Sequence, residues 1–454
     1  MLVFRKRLIF WLIKAYMKRW GKVIFLSFIV GLMIFFLLIS SSSLLIHLLP
    51  IEKKIVVGAV GAYTTDALPA DIERKLSFGL TKLSLDGSII PGAAASWQIE
   101  DNGKKYTFFL KKDLRFSDGR KLAADTINYD FSDVTIEKPN RETIIFLLKN
   151  PYSPFLVTVS LPLYKGGLTG IGEYKIQDLA LNGEFIKSLT LVSAKNKFKI
   201  ERYIFYPTED ALKVAFALGE VNRAVGLTDT TFRKTSFAAY PKTRVVKKTD
   251  YTKLVTMFFN NHDKVLSDKK MRNGLTYALP ETFAGGQRSY VPYPPQSQYR
   301  SNDTLTKREQ DFEHAKVLLD AGTSDASASA QTTIHLKTLA RYMGVADEIA
   351  RAWSKVGVKI DIEKVDSIPT QFQAYIGDFN LPKDPDQYVL WHSNSSKNIT
   401  RYKNLRIDKL LEDGRTITDV KKRKEIYADF QKYLLDDSPA SFLYFPYEYE
   451  IDKF

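Results

Sequence analysis

From residue 23 to residue 49 the chain reads VIFLSFIVGLMIFFLLISSSSLLIHLL, without one Asp, Glu, Lys or Arg. A bilayer core asks for about 20 apolar residues at 1.5 Å of helical rise each, so the pattern predicts a transmembrane helix over 23–49. The segment before it sets Phe4, Leu8, Trp11 and Leu12 among basic residues. That is the pattern of an interfacial amphipathic segment, or equally of an ordinary basic flank. Arg5, Lys6, Arg7, Lys14, Lys18, Arg19 and Lys22 all precede the first acidic residue. Positive charge stays on the cytoplasmic side, so 1–22 is assigned to the cytoplasm and residue 50 onward to the outside of a single-pass membrane protein. A cleaved signal peptide is the alternative. It asks for a shorter apolar core and small residues at a cleavage site, whereas Leu44, Leu45 and Ile46 carry the apolar run past Ser41 and Ser43.

Beyond Pro50 the periodicity changes. Short β-branched and aromatic runs predict strands at 54–58, 105–110 and 143–148, each next to polar or turn residues. Helical spacing follows at 208–218, where Gly219 suits the end, and at 269–279, where Pro280 stops it. A third helix is predicted over 308–320, with Phe312, Ala315 and Leu319 on one face and Gly322 just beyond. Strand 333–337, helix 346–355 and strand 358–363 then alternate, which argues for a partly parallel sheet. A last helix starts at Thr418 and carries Ile426, Phe430 and Leu434, and 442–445 reads as a final strand. Residues 292–302 and 322–331 are polar loops. The class is α/β with mixed sheets.

Composition narrows the chemistry. With 454 residues, 45% of them hydrophobic, the chain can bury several cores and divide into domains. It has no cysteine, which excludes disulfide scaffolds, thiolate zinc sites, thiol nucleophiles and a lipid on an N-terminal Cys. The five histidines lie too far apart for a helical HExxH pair, and no G-x-S-x-G occurs. Neither an enzyme nor a bound cofactor or metal is expected. The formal charge of +15 raises a nucleic-acid role, but the densest part flanks the predicted membrane span, so no nucleic-acid partner is expected.

One run of residues is more specific. Gly79-Leu80, Leu85-Asp86-Gly87, Ile90-Pro91-Gly92, Ala95-Ser96-Trp97, Tyr106-Thr107-Phe108, Phe116-Ser117-Asp118-Gly119 and Leu122-Ala123-Ala124-Asp125 follow one another over about fifty residues. Later come Gly170-Ile171-Gly172-Glu173-Tyr174, Leu218-Gly219-Glu220-Val221-Asn222, Met271-Arg272-Asn273-Gly274-Leu275, Ala315-Lys316-Val317-Leu318-Leu319 and Ile407-Asp408-Lys409-Leu410-Leu411. This order resembles the extracellular solute-binding proteins of family 5, the oligopeptide and dipeptide receptors of ABC importers.

The resemblance implies a two-lobed, hinged clamshell of the periplasmic-binding-protein kind. Lobe I would be a shortened segment over 50–246, lobe II would span 247–436, and 437–454 would return as a strand to lobe I. It implies a membrane-anchored receptor that takes a peptide-like or other small solute between its lobes and hands it to ABC permease subunits. The alternative is a degenerate ectodomain acting as envelope scaffold or sensor. Candidate ligand contacts are Tyr63 and Thr64 after the first strand, Phe259, Asn260 and Asn261 after a strand entering the second lobe, and Asp384, Trp391, His392 and Asn394 around the Asp384-Pro385-Asp386 turn. Each has a bland reading as surface loop, structural turn or core. Receptors of this family often carry an Asp shortly before that turn to pair with a ligand amine; here Asn380-Leu381 stand there. A buried ammonium without a partner is very costly, so a free-amine peptide would need Asp384 or Asp378 as substitute.

Overall fold

The computed structural model describes residues 2–48, 53–301, 308–322 and 332–454. It falls into two units, the first dominated by the N-terminal segment. That segment is one helix, Leu2–Leu48, with no break between the basic flank and the apolar run. Its stretch Phe10–Leu37 is long and apolar enough to cross a membrane, and none of it is buried in protein. This candidate stretch begins before residue 23, and the helical backbone continues unbroken through Lys14, Lys18, Arg19 and Lys22.

The second unit is built on a twelve-stranded mixed sheet. Its strands run in the order Lys359–Val365, Thr333–Leu339, Ala374–Asn380, Lys253–Phe259, Ala440–Lys453, Arg223–Leu227, Lys53–Val60, Lys199–Tyr206, Phe185–Ser193 and Tyr174–Asn182. Thr243–Thr249 and Gly286–Arg288 also pair with Ala440–Lys453. Thr333–Leu339 and Lys359–Val365 are parallel, joined through the helix Met343–Ser354, as the strand–helix–strand pattern predicts. Trp353 on that helix is fully buried and its indole N–H donates to the Leu275 carbonyl at 3.0 Å.

The final strand is longer than the expected 442–445. It runs fourteen residues, Ala440–Lys453. Its first part pairs with Lys253–Phe259 and its last part with Thr243–Thr249 and Arg223–Leu227. It thereby belongs to two halves of the sheet at once. Thr243–Thr249 leads through Asp250–Thr252 straight into Lys253–Phe259, so the backbone crosses between the halves on neighbouring antiparallel strands. Two apolar clusters fill the half between residues 254 and 445, and three fill the other. One of these lies under a separate four-stranded antiparallel sheet, Ala94–Glu100, Lys105–Leu110, Thr143–Leu148 and Val134–Asn140, whose core includes Tyr106, Phe108 and Phe146.

Other boundaries shift for identifiable reasons. Thr208 caps the helix Glu209–Leu218 through a bond from Ala211 N–H, and Gly219 ends it at φ +81°. Asp268 caps Lys269–Tyr277 in the same way. The helix expected from Arg308 starts at Phe312 and takes in Gly322; the rest of the loop 322–331 lies outside the described residues, as does Asn302. The last long helix is Val420–Asp437, capped by Asp419, and Tyr427 rather than Ile426 shares its buried face with Phe430 and Leu434. The Tyr427 ring packs edge-on against Tyr299.

Arg272 ties this half together. Its guanidinium donates to the carbonyls of Leu266 (2.8 Å), Ser267 (2.9 Å), Asp437 (2.7 Å) and Ser438 (3.1 Å), closing off the end of Val420–Asp437 just before the crossing strand. Burial pulls its pKa down, and Asp437 works against that. Arg272→Met strands these buried carbonyls, each costing about 1–3 kcal/mol. In the full chain in detergent it is expected to lower the unfolding free energy of this half by about 3 kcal/mol, read by urea titration on the fluorescence of Trp353 and Trp391; an unchanged midpoint would show that the carbonyls find other donors.

Candidate functional site

A cleft of about 650 Å³ opens between the two halves beside the crossing strands. One wall is the helix Ala70–Leu76, the turn 82–87 and Ser160; the other is formed by Tyr251, Thr252, residues 293–299 and the turn 381–387. The turn carrying Asp86 touches the opposite wall, where Gln298 N–H donates to the Asp86 carbonyl at 2.9 Å. On the far side, Ser153 N–H donates to the Arg415 carbonyl at 2.6 Å, and the Arg415 guanidinium lies over the rings of Tyr388 (4.3 Å) and Tyr152 (5.6 Å).

The first wall is held by a polar network under the helix. Ile72 and Leu76 face the core. Lys75 reaches down to the buried Glu201 as an ion pair and donates to the Tyr203 hydroxyl at 2.7 Å. Tyr174 and Tyr203 hydroxyls each donate to Glu201 at 2.8 Å. Burial raises the Glu201 pKa, but the bonds from Lys75, Tyr203 and Tyr174 outweigh it and leave the carboxyl below its ordinary value. Close approach explains the Gly170-Ile171-Gly172 run: a Cβ on either glycine would stand 2.1 or 2.2 Å from the carbonyls of Leu76 and Lys75. With its lower face anchored, the helix presents Glu73 and Arg74 to the cleft.

The second wall is a stiff turn. Asp384 Oδ1 accepts from Asp386 N–H at 3.0 Å, and Asp386 Oδ1 accepts from Tyr388 N–H at 2.9 Å. Tyr293 hydroxyl donates to the Pro385 carbonyl at 2.7 Å, and Gln387 links Pro292 to the Trp391 indole. Behind the turn stands Arg423, which grips Asp384 with two parallel bonds, Nη1 to Oδ2 at 2.9 Å and Nη2 to Oδ1 at 2.5 Å. Both side chains are buried. A fork-on-fork pair of this kind saturates the carboxylate, and the pairing with Asp384 keeps the Arg423 pKa above its ordinary value despite burial.

Of the residues expected to contact a ligand, Asp384 lines the cleft. The other eight do not, and each is held elsewhere. Tyr63 packs on Phe205 at 5.0 Å and donates to the Val60 carbonyl, while Thr64 closes a short bridge with Ala67. Phe259 is fully buried in the core. Asn260 and Asn261 brace turns by donating to the carbonyls of Phe372 (2.9 Å) and Thr400 (3.2 Å). Trp391 is buried against Phe442, and His392 stacks on Tyr388 with Nε2 3.3 Å from Glu412. Asn394 sits on the surface, its N–H donating to His392 Nδ1 at 3.1 Å. Asp378, the other carboxylate considered for an amine, pairs with Arg341 at 2.6 Å. Sequence reasoning passed over Glu73, Lys82 and Lys383, which line the cleft; nothing in their local spacing marks them.

The ion pair generates a test. Arg423→Met alone leaves a buried carboxylate unpaired and is expected to cost about 3–5 kcal/mol. Asp384→Leu with Arg423→Met is expected to recover much of that, so a double-mutant cycle on urea unfolding should show a coupling above about 1 kcal/mol. Additive effects would mean that the pair does not hold the wall.

Comparison with known proteins follows the same outline. The profile of the bacterial extracellular solute-binding proteins, family 5 Middle, matches residues 88–401. The oligopeptide-binding protein AppA of Bacillus subtilis is 26% identical over 474 aligned positions, covering 86% of this chain and 86% of its own. The dipeptide-binding protein of Escherichia coli is 22% identical, covering 78% and 80%. Among solved structures, the ABC transporter substrate binding protein CtaP of Listeria monocytogenes superposes with a TM-score of 0.72 at 19% identity, over 88% of this chain and 94% of its own. The nonapeptide complex of AppA superposes at 0.64 and 20% identity, with the same coverage. These likenesses show the two-lobed periplasmic-binding-protein fold.

Proposed function

The chain belongs to the bacterial extracellular solute-binding proteins of family 5, and on that premise we propose that it is a membrane-tethered receptor delivering a peptide-like or other small solute to an ABC permease, with no reaction catalysed. The observation that carries this reading is the cleft lined from both halves beside the two crossing strands. A solute held there touches both walls at once, so its binding free energy includes a term that exists only in the closed arrangement, and ligand must shift the population toward closure. Lobe I over 50–246, lobe II over 247–436 and the return of 437–454 to lobe I form part of this reading, supported by the separate apolar clusters on either side of the crossing. Retention of the helix Leu2–Leu48 as an anchor is supported by its span Phe10–Leu37. Tethering confines receptor and permease to one surface and raises their effective concentration.

Two outcomes are expected. The chain has no native cysteine, so spin labels on Lys121→Cys and Lys397→Cys report one distance across the halves. In the full chain in detergent, random pentapeptide pools should narrow and shorten that distribution, whereas an unchanged distribution with every pool would count against a receptor role. Membranes washed with alkaline carbonate should retain the full-length chain; release of a shorter, soluble form would identify the helix as a cleaved leader.

A further inference from the structure

One edge of the twelve-stranded sheet takes no part in the cleft. Strand Lys53–Val60 begins there, shortly after the helix Leu2–Leu48 ends. Residues Asn196–Ile200 gather with this N-terminal segment in one compact unit. Gly61 N–H donates to the Tyr206 carbonyl at 2.9 Å, which joins the far ends of Lys53–Val60 and its sheet neighbour Lys199–Tyr206. The two strands therefore start side by side. The loop that enters the second one reads Ala194-Lys195-Asn196-Lys197-Phe198-Lys199, with three ammonium groups and no carboxyl. Those lysines, Lys54 and the Phe198 ring are all exposed. Glu173 reaches Lys195 at 3.3 Å; Lys54 and Lys197 have no ion-pair partner among the described residues.

The edge continues in the second unit. Asn222 N–H donates to the Val56 carbonyl, Lys453 N–H to the Asn222 carbonyl, and Phe454 N–H to the Lys242 carbonyl. Lys242 and Lys453 are exposed, and the Phe454 residue is 78% exposed. Arg223 and Arg244 beside them are taken up by Asp452, and Glu220 accepts from the Tyr206 hydroxyl at 3.5 Å. Lysines thus outnumber carboxylates along this edge, and exposed aromatic rings stand among them. Water solvates such a surface adequately, but its place in the chain gives it a closer neighbour. It is where the backbone arrives from the candidate span Phe10–Leu37. Each lysine held near an anionic lipid surface adds to its attraction, and a ring among them gains by entering the headgroup boundary.

We propose that this sheet edge is a membrane-surface contact, with Lys54, Lys195, Lys197 and Lys199 on anionic lipid headgroups and Phe198 inserted among them. This rests on the helix Leu2–Leu48 being retained as an anchor. Thr243–Thr249 leads from this edge to the crossing strands, about 20 Å at the rise of a β-strand. Docking therefore holds the cleft off the bilayer and open to arriving solute, and delivery to a permease requires the edge to lift.

The test uses the full chain, which has no cysteine of its own. A fluorophore is placed at Ala194→Cys, in the basic loop, or at Glu184→Cys, beyond the opposite end of the strand Phe185–Ser193. Each labelled chain is reconstituted into phosphatidylcholine vesicles with or without about 30% phosphatidylglycerol, and quenching by a headgroup nitroxide lipid is read. Quenching at Ala194 is expected to rise about threefold with the anionic lipid and quenching at Glu184 to stay level. Lys195→Gln with Lys197→Gln should return the Ala194 value to that of neutral vesicles, and so should 1 M salt, which cuts the screening length to about 3 Å. Equal quenching at Ala194 in both vesicles would overturn the proposal and leave the anchor in place. An anion-dependent rise at Glu184 matching that at Ala194 would assign the contact to another surface and overturn it too. Chain stripped from the vesicles by alkaline carbonate would remove the anchor, and the proposal with it.

Discussion

The whole architecture depends on one strand being shared. Ala440–Lys453 supplies hydrogen-bond partners to Lys253–Phe259 at one end and to Thr243–Thr249 and Arg223–Leu227 at the other. A strand that serves two sheets must bend or twist where it passes between them. Here the register shifts between Val255 and Thr256, and Pro446, which has no N–H to donate, lies in the passage with its carbonyl accepting from Asp250 N–H at 2.8 Å. Gly285 and Gly286 cross the same point; a Cβ on Gly286 would stand 2.0 Å from the Tyr444 ring. Tyr251 and Thr249 both reach Gln287 from the neighbouring segment, and Tyr251 packs edge-on against Phe445. The crossing is therefore a thin, braced ribbon between two separately packed bodies, the arrangement in which small dihedral changes become rigid-body motion.

Both walls of the cleft are stiff for a different reason. Each is fastened from behind by a buried charge: Glu201 under the helix Ala70–Leu76, and Arg423 behind the turn at Asp384. Arg272 and Arg288 act similarly toward backbone, Arg288 donating to the carbonyls of Ser289, Phe442 and Leu443 on or beside the shared strand. Guanidinium suits this work because its planar fork serves several carbonyls or both oxygens of a carboxylate at once. Part of the chain's positive excess is therefore internal scaffolding, which is why a charge of +15 says less about partners than its size suggests.

How far the sequence could be read follows from the range of each interaction. Helix ends at Thr208 and Gly219 rest on bonds to residues a few positions away, and they were legible; the cap at Asp268 was not read, and the start placed at Thr418 fell one residue before the cap Asp419. The parallel pair around Met343–Ser354 was legible too, since alternating periods announce it. The tail 446–453 was not legible from its own pattern, and only the family resemblance implied a returning strand over 437–454: PYEYEIDK alternates aromatic and acidic residues, and its partners lie some two hundred positions upstream. The cleft suffers the same limit more sharply. Trp391, His392 and Asn260 looked like ligand contacts because polar and aromatic residues after strands reach clefts in this family, but whether such a side chain turns toward the opening or the core depends on packing from distant segments. Asp384 was legible as part of a turn; that Arg423 neutralises it was not, because the two are 39 residues apart.

That neutralisation changes what closing the cleft means. If the second wall held a free carboxylate, an ammonium ligand would have to complete a buried ion pair, and affinity would hinge on one contact. With Asp384 already satisfied by Arg423, the charges whose energy depends on the gap are those that face each other across it. Glu73 on the first wall and Lys383 on the second are such a pair, since Lys383 acts to lower the Glu73 pKa across the gap, and their attraction favours the closed arrangement. The contact from Gln298 to the Asp86 carbonyl, by contrast, is neutral and shallow, and a single exposed hydrogen bond contributes about 1 kcal/mol at most. Closure is then governed less by the rim than by what occupies the interior, where Glu73, Lys82, Asp86 and Lys383 line one space.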